Sequence, residues 1–414
     1  MRSRARGNGP ADPAHDGLTC VPENVRGSAP LARRGVAVAR AGVPPARRSA
    51  AVARSRALPA AVLAVLALAL GACSTPLVGS APGGPVGKPP PSPTTPAPSP
   101  SPTPEPELWP LTGVVVEGES ADRPALSVKI ENSAPARPQS GLEDADLVWE
   151  EMVEGGITRF NAAYHSTVPE ALGPIRSVRP MDAAISGPLG GLLAFSGGVQ
   201  PYIQKARDAG LQILMEDGGH AGFYRISTRR APHNLYGSGA ELLAQADQAH
   251  KKPPAQQFSY AADAASASAV VGGRPAAGID IRFPSTNPGW TWQAAGDAGR
   301  GWGPGVWLRD EAGVAQHAAD GDPIVATNVV VLRVQVVITD ARDVAGNRVP
   351  ETILAGHGTA QVATGGHVVE ATWSKAGDLE PLSLTGKDGK PVELAPGSTW
   401  IELVPTSGGS VSVG

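Results

Sequence analysis

The chain has 414 residues, with 51 Gly and 42 Pro spread unevenly, and a formal net charge of -3 from 35 Lys+Arg against 38 Asp+Glu. Nowhere in the part able to fold does a basic run interleave with aromatics, which argues against a nucleic-acid partner. The uneven Gly and Pro make the folded portion shorter than the whole.

Residues 1–46 are rich in Arg, Ala, Gly and Pro without apolar periodicity. They read as a disordered extension, as if the translation start had been placed too early. Residues 47–73, "RRSAAVARSRALPAAVLAVLALALGAC", read as a lipoprotein signal peptide with a lipobox. Arg47, Arg48, Arg54 and Arg56 form the charged start, the apolar run is short for a membrane span, and small residues precede Cys73. Cys73 is therefore the expected lipidation site, with export by the general secretory route preferred over the twin-arginine one. The expected location is extracytoplasmic, anchored by lipid to the outer face of the cytoplasmic membrane. The other cysteine, Cys20, precedes the expected cleavage, so the mature chain has neither thiol nor disulfide. Thiol nucleophiles, redox CxxC pairs and thiolate zinc sites are thereby excluded.

Residues 74–107 form a Pro/Ser/Thr-rich linker that cannot bury apolar area and extends by up to about 3.1 Å per residue. From 108 to 252 strands and helices mix. "PALSVKIEN", "ADLVWEEMV", "ITRFNAAYH" and "GGLLAFSGG" read as strands, while "VQPYIQKARDAG" and "SGAELLAQADQAHKK" carry helical spacing. From 258 to 414 the chain is strand-rich, with "IDIRFP", "GVWLRDEAG", "TNVVVLRVQVVITD", "HVVEATWSK" and "STWIELVP" among its apolar stretches, and "KDGK" as a hairpin turn. The predicted class is α+β: a mixed α+β N-terminal domain followed by a smaller β-rich C-terminal domain.

The stretch "EEMVEGGITRF" concentrates charge inside a predicted hairpin. A two-residue turn at Gly155-Gly156 pairs Glu154 with Ile157, Met152 with Arg159 and Glu150 with Asn161. Arg159 then lies diagonal to Glu150 and Glu154, and Glu151 falls among Leu147, Trp149, Val153, Phe160, Ala162 and Tyr164. Paired carboxylates tuned by Arg159 suit acid/base chemistry. A cross-strand ion pair on a solvated face is the favoured alternative. Glu151, on the apolar side, has to find a donor or hold a proton.

"GPIRSVRPMD" supplies Arg176 and Arg179, and "YRISTRRAPHNLY" supplies Arg225, Arg229 and Arg230 beside His233, Asn234 and Tyr236. Guanidinium forks in Gly/Pro-rich loops suit carboxylate or phosphate ligands. His233 fits a general base or a turn brace. No HExxH spacing occurs, "HAADGD" lacks the alternating ligands of a calcium loop, "AFSGGV" is not a nucleophile elbow, and "GPLGGLL" lacks the phosphate-loop lysine. No metal and no cofactor are expected.

In "ARPQSGLEDADLVWEEMVEGGITRF", "GPIRSVRP", "RRAPHNLY", "ATNVVV", "ATWSK" and "GSTWIELVP" the chain resembles the YerB-like bacterial lipoproteins, a family defined by a domain of unknown function, DUF3048. The resemblance spans most of residues 108 to 405 and implies a membrane-anchored lipoprotein with an N-terminal α+β domain and a β-rich C-terminal one. It brings no established reaction. The expected function is binding of an anionic or polyhydroxylated cell-envelope component, or of a protein partner, in a cleft of Glu150, Glu151, Glu154, Arg159, Arg176, Arg179, Arg230, His233, Asn234 and Tyr236. The alternatives are a cell-wall polymer-modifying enzyme, with Glu150 or Glu154 as acid/base and His233 as proton shuttle, and a scaffold for a membrane complex. Trp373 and Trp400 read as anchors of the C-terminal sheet.

Overall fold

The computed structural model describes residues 84, 87, 106–118, 120–295 and 305–414. The expected signal peptide, Cys73 and nearly all of the expected linker lie outside them. The strands used below are β1 Leu126–Glu131, β2 Leu147–Met152, β3 Thr158–Tyr164, β4 Leu192–Phe195, β5 Gln212–Met215, β6 Phe223–Arg225, β7 Leu235–Ser238, β8 Gly278–Arg282, β9 Pro288–Ala294, β10 Gly305–Glu311, β11 Asn328–Arg342, β12 Arg348–Ile353, β13 Gly356–Thr364, β14 His367–Lys375, β15 Ser383–Gly386, β16 Thr399–Pro405 and β17 Ser410–Val413. Helix α1 is Asp182–Ser186 and α2 is Gln200–Asp208. The predicted helix over 238–252 shrinks to Gly239–Leu243, capped by the Ser238 side chain.

A 12-stranded mixed sheet runs β14-β13-β11-β16-β2-β3-β1-β4-β5, with the short edge strand Arg274–Pro275 and β15 added on β14 and β12 on β11. Its middle joins both halves of the sequence, because β16 inserts between β2 and β11 and pairs parallel to each. The segments expected as separate domains, 108–252 and 258–414, thus share one sheet within the compact unit Pro96–Gly414. Val329 to Leu332 and Ile401 to Val404, buried on both faces, need neighbours on both edges, and β2 supplies one of them. A second sheet, β10-β9-β8-β17, packs on one face of the first, where Trp290, Trp307, Trp400 and Phe160 lie together in the buried apolar core. The rings of Phe160 and Trp290 each meet Trp400 edge-on at 5.2 Å. Trp373 is also buried and donates its indole N–H to the Arg333 carbonyl at 3.0 Å.

The β2–β3 hairpin differs from its predicted register by one residue. Glu150 pairs with Phe160, Glu151 with Arg159 and Met152 with Thr158. The turn takes in Glu154 as well as the two glycines, and the Val153 N–H closes it on the Ile157 carbonyl at 2.8 Å. Gly155 and Gly156 both have positive φ, where a side chain is strained. A Cβ on Gly156 would also meet Pro284 at 2.8 Å. Two tertiary contacts hold the longer turn: the Glu154 carboxylate is drawn onto Arg179, and Ser285 donates to the Gly155 and Gly156 carbonyls at 2.7 and 2.9 Å. The one-residue slip sets Glu151, with Leu147 and Trp149, on the face of Arg159 and Asn161, and puts Glu150 on the face of Phe160. Neither face is solvated, since every residue of β2 and β3 is buried.

Candidate functional site

Strands β1, β2 and β3 place a polar series on one face of the sheet. Ser127, Lys129 and Glu131 alternate with Leu126, Val128 and Ile130, which point into the core between the two sheets. Glu151, Arg159 and Asn161 join the polar side, and α1 covers its inner end. The series runs from fully buried to solvent-facing.

At the buried end Lys129 Nζ touches Glu151 Oε1 and lies 3.0 Å from Asp182 Oδ1. Asp182 accepts from Asn161 Nδ2 at 2.7 Å and from the Arg179 backbone N–H at 2.6 Å. Burial, and then the charge of Asp182, push the Glu151 carboxyl up to about 8 against the pull of Lys129. The donor that Glu151 meets is Lys129 of β1.

In the middle, Arg179 straddles Glu154, with Nε 2.7 Å from Oε1 and Nη2 2.7 Å from Oε2. Arg159 Nη2 lies 4.0 Å from the same carboxylate, and its Nη1 donates to the Ser177 carbonyl at 3.2 Å. Burial and the neighbouring charges of Arg179 and Arg176 push the Arg159 guanidinium down to about 9, despite Glu154 and Glu131.

At the open end Glu131 collects three partners. His233 Nδ1 is 3.0 Å from both carboxylate oxygens, Ser133 Oγ donates at 2.7 Å, and Arg176 Nε stands 3.6 Å away without hydrogen-bonding. Ser177 and Ser196, whose hydroxyls are 3.2 Å apart, are half-buried beside it. Burial opposes the charge of Arg159 while Arg176, Arg179, Glu131 and Glu154 all act on it, so the middle and open clusters form one electrostatic unit.

Six predicted residues share this face: Glu151, Glu154, Arg159, Arg176, Arg179 and His233. Glu150 does not. It lies on the opposite face, where Arg309 of β10 reaches it at 2.5 Å and Thr158 and Asn132 donate to it at 2.6 and 3.2 Å. Glu402 of β16, the register partner of Glu150, accepts from the Trp290 indole at 2.9 Å. Burial and the adjacent Glu150 charge hold Glu402 well above the usual carboxylate range. Burial works against the charge of Arg309, but Glu150, Glu402 and Glu311 outweigh it and raise its pKa.

Arg230 is exposed, and its guanidinium has no hydrogen bond or ion pair among the described residues. Asn234 accepts from Arg225 at 3.0 Å, and Tyr236 is buried against Gly173. Both serve the loop that carries His233. Arg229 bonds to the backbone carbonyls of Pro135, Ala136 and Pro138, so it ties that loop to the segment after β1. The carboxylate that His233 meets is Glu131, not Glu150, Glu151 or Glu154. Sequence reading missed Lys129, Glu131, Asp182, Arg309 and Glu402. The Ser127-Lys129-Glu131 alternation was the one available signal, and alone it reads as a solvent face. Two cavities, of about 760 and 930 Å³, lie elsewhere, one between Arg274 and Lys387 and the other beside Trp109 and Asp146.

An α+β protein built on two large packed sheets, whose central strands carry arginine–carboxylate clusters open to solvent at one end, is the class these features define. Residues 111–252 match the family model described as "Protein of unknown function (DUF3048) N-terminal domain", and residues 279–401 match its "C-terminal domain". The chain belongs to the DUF3048 family. It is 28% identical over 303 residues to a Bacillus subtilis (strain 168) protein named "Putative lipoprotein YerB", covering 72% of this chain and 86% of that one. The crystal structure of the YerB protein from Bacillus subtilis superposes with a TM-score of 0.61 at 24% identity, covering 74% of this chain and 99% of that one. The fold is shared.

Proposed function

We propose that this is a lipid-tethered extracytoplasmic protein that binds an anionic cell-envelope component at the open end of the polar face, with Arg159, Arg176 and Arg179 as the cationic floor. One observation carries the reading: three guanidiniums crowd against two carboxylates, Glu131 and Glu154, and repulsion from its neighbours helps push Arg159 down to about 9. An anion entering beside Arg176 relieves that repulsion. Arg176 Nε, paired with Glu131 only at 3.6 Å, has no hydrogen-bond partner, and Ser177, Ser196 and His233 line the approach with groups suited to phosphate or polyol oxygens. Asp343, at the tip of the β11–β12 hairpin, reaches Arg179 only weakly and is occupied by the backbone of its own turn. The anchor rests on the "RRSAAVARSRALPAAVLAVLALALGAC" segment and on the name of the Bacillus subtilis relative. Among the described residues no helix is long and apolar enough to cross a membrane.

The test passes envelope extract over the immobilised full chain and over its Arg176→Ala and Arg179→Ala variants. Wild type should retain a component released by raised salt or by inorganic phosphate. Arg176→Ala should lose at least ten-fold in retention with unchanged melting, whereas Arg179→Ala should lose retention and melt lower, because it strips Glu154 of its partner. Equal retention by wild type and Arg176→Ala, or none by wild type, removes the support for this site.

A further inference from the structure

Lys129, Glu151 and Asp182 come from β1, β2 and the first turn of α1, and all three are fully buried. The strands of the first two are not neighbours. Both side chains lean across β3 and meet above Asn161, the register partner of Lys129. Trp149, Ala163, Met181 and Ile185 seal the same face from water. Asp182 is held in position by Asn161 and by the Arg179 backbone, with Oδ1 3.0 Å from Lys129 Nζ. Glu151 touches Nζ through Oε1, while its Oε2 is buried with no hydrogen-bond partner.

An ion pair explains this arrangement poorly. Each buried charge keeps a desolvation cost, and the orphan oxygen adds to it. An amine and a carboxyl held in contact, with water excluded, are also the two halves of an amide. Effective molarities of about 10⁵–10⁸ M for well-oriented groups carry condensation forward where dilute solution does not.

We propose that Lys129 and Glu151 condense into an intramolecular isopeptide bond between Nζ and Cδ, with Asp182 as the proton acceptor. Glu151 enters as the acid, consistent with a carboxyl pushed up to about 8 by burial and by Asp182. Asp182 takes one proton from the Lys129 ammonium, and the neutral amine adds to Cδ. The C–OH bond then breaks, and the hydroxyl leaves with a second Nζ proton as water. The amide keeps one N–H and one carbonyl oxygen, and Asp182 ends protonated. The charges of Lys129 and Asp182 vanish together, and the carboxyl that had an orphan oxygen has one oxygen fewer. No oxidant and no cofactor enter the balance. The product staples β1 to β2 over β3, in a chain whose residues 74–414 contain no cysteine to form a disulfide.

Peptide mass mapping of the denatured full-length chain decides it. Digestion at lysine and arginine should fail to cut after Lys129, and the peptide ending at Arg159 should be lighter than its sequence by one water, with fragmentation placing the loss between Lys129 and Glu151. Asp182→Asn, which keeps both reacting groups, should restore the cut and the full mass. A wild-type digest cut after Lys129, with a peptide 130–159 of full mass, overturns the proposal. So does a linkage that maps to Asp182.

Discussion

Replacing Arg309 by Met removes the cation that joins the two sheets, and its cost follows from what remains. Arg309 and Glu150 are both fully buried, 2.5 Å apart, with Glu402 beside them. In Arg309→Met, Glu150 and Glu402 face each other without a counter-ion. Breaking a buried pair from one side costs about 3–5 kcal/mol. The guanidinium also lies 5.3, 5.9 and 5.2 Å from the Phe160, Trp290 and Trp400 rings, and losing these contacts adds about 0.5–1 kcal/mol. About 4 kcal/mol is therefore expected, or roughly 8 °C at about 2 °C per kcal/mol for a unit of this size. Urea and thermal unfolding of wild type, Arg309→Met, Glu150→Gln and the double variant form the assay. The double variant should be more stable than the sum of the single effects predicts by about 2 kcal/mol. An Arg309→Met protein within about 1 kcal/mol of wild type, or strictly additive variants, would refute the argument that this pair holds the sheets together.

Two further outcomes follow from the same physics. Burial pushes the Asp146 carboxyl up to about 6, despite hydrogen bonds from Ser166 and His165, so the folded state holds a proton that the unfolded state has lost. That contribution is complete below about pH 4 and is lost as pH rises through about 6, so the stability of wild type relative to Asp146→Asn should fall by about 3 kcal/mol over that window; a flat difference in urea titrations would contradict it. Residues 108–252 expressed alone lack β16 and β11, leaving one edge of β2 unpaired and Glu150 without Arg309. That fragment should show broad, non-cooperative unfolding and exposed apolar surface, and a sharp calorimetric transition would count against the shared sheet as the source of stability.

Sequence alone determined the α+β class, the family and most strand positions, because period-2 apolar alternation is local and the family motifs recur in order. It also picked out six residues that lie on one face, since arginines and carboxylates stand out in Gly/Pro-rich loops. Register and partners were decided elsewhere. Adding Glu154 to the β2–β3 turn depended on Arg179 and Ser285, which lie outside the hairpin, and one residue of slip exchanged the faces of Glu150 and Glu151. Polar alternation in β1 and β3 reads as a solvent face, yet α1 and the loops behind it bury that face too, so Lys129 and Asp182 become counter-groups of Glu151. Arg309 reaches Glu150 from 159 positions away, a distance no local pattern carries. A charge in water needs no particular partner, whereas a buried charge must have one, and only the packing of distant segments decides which.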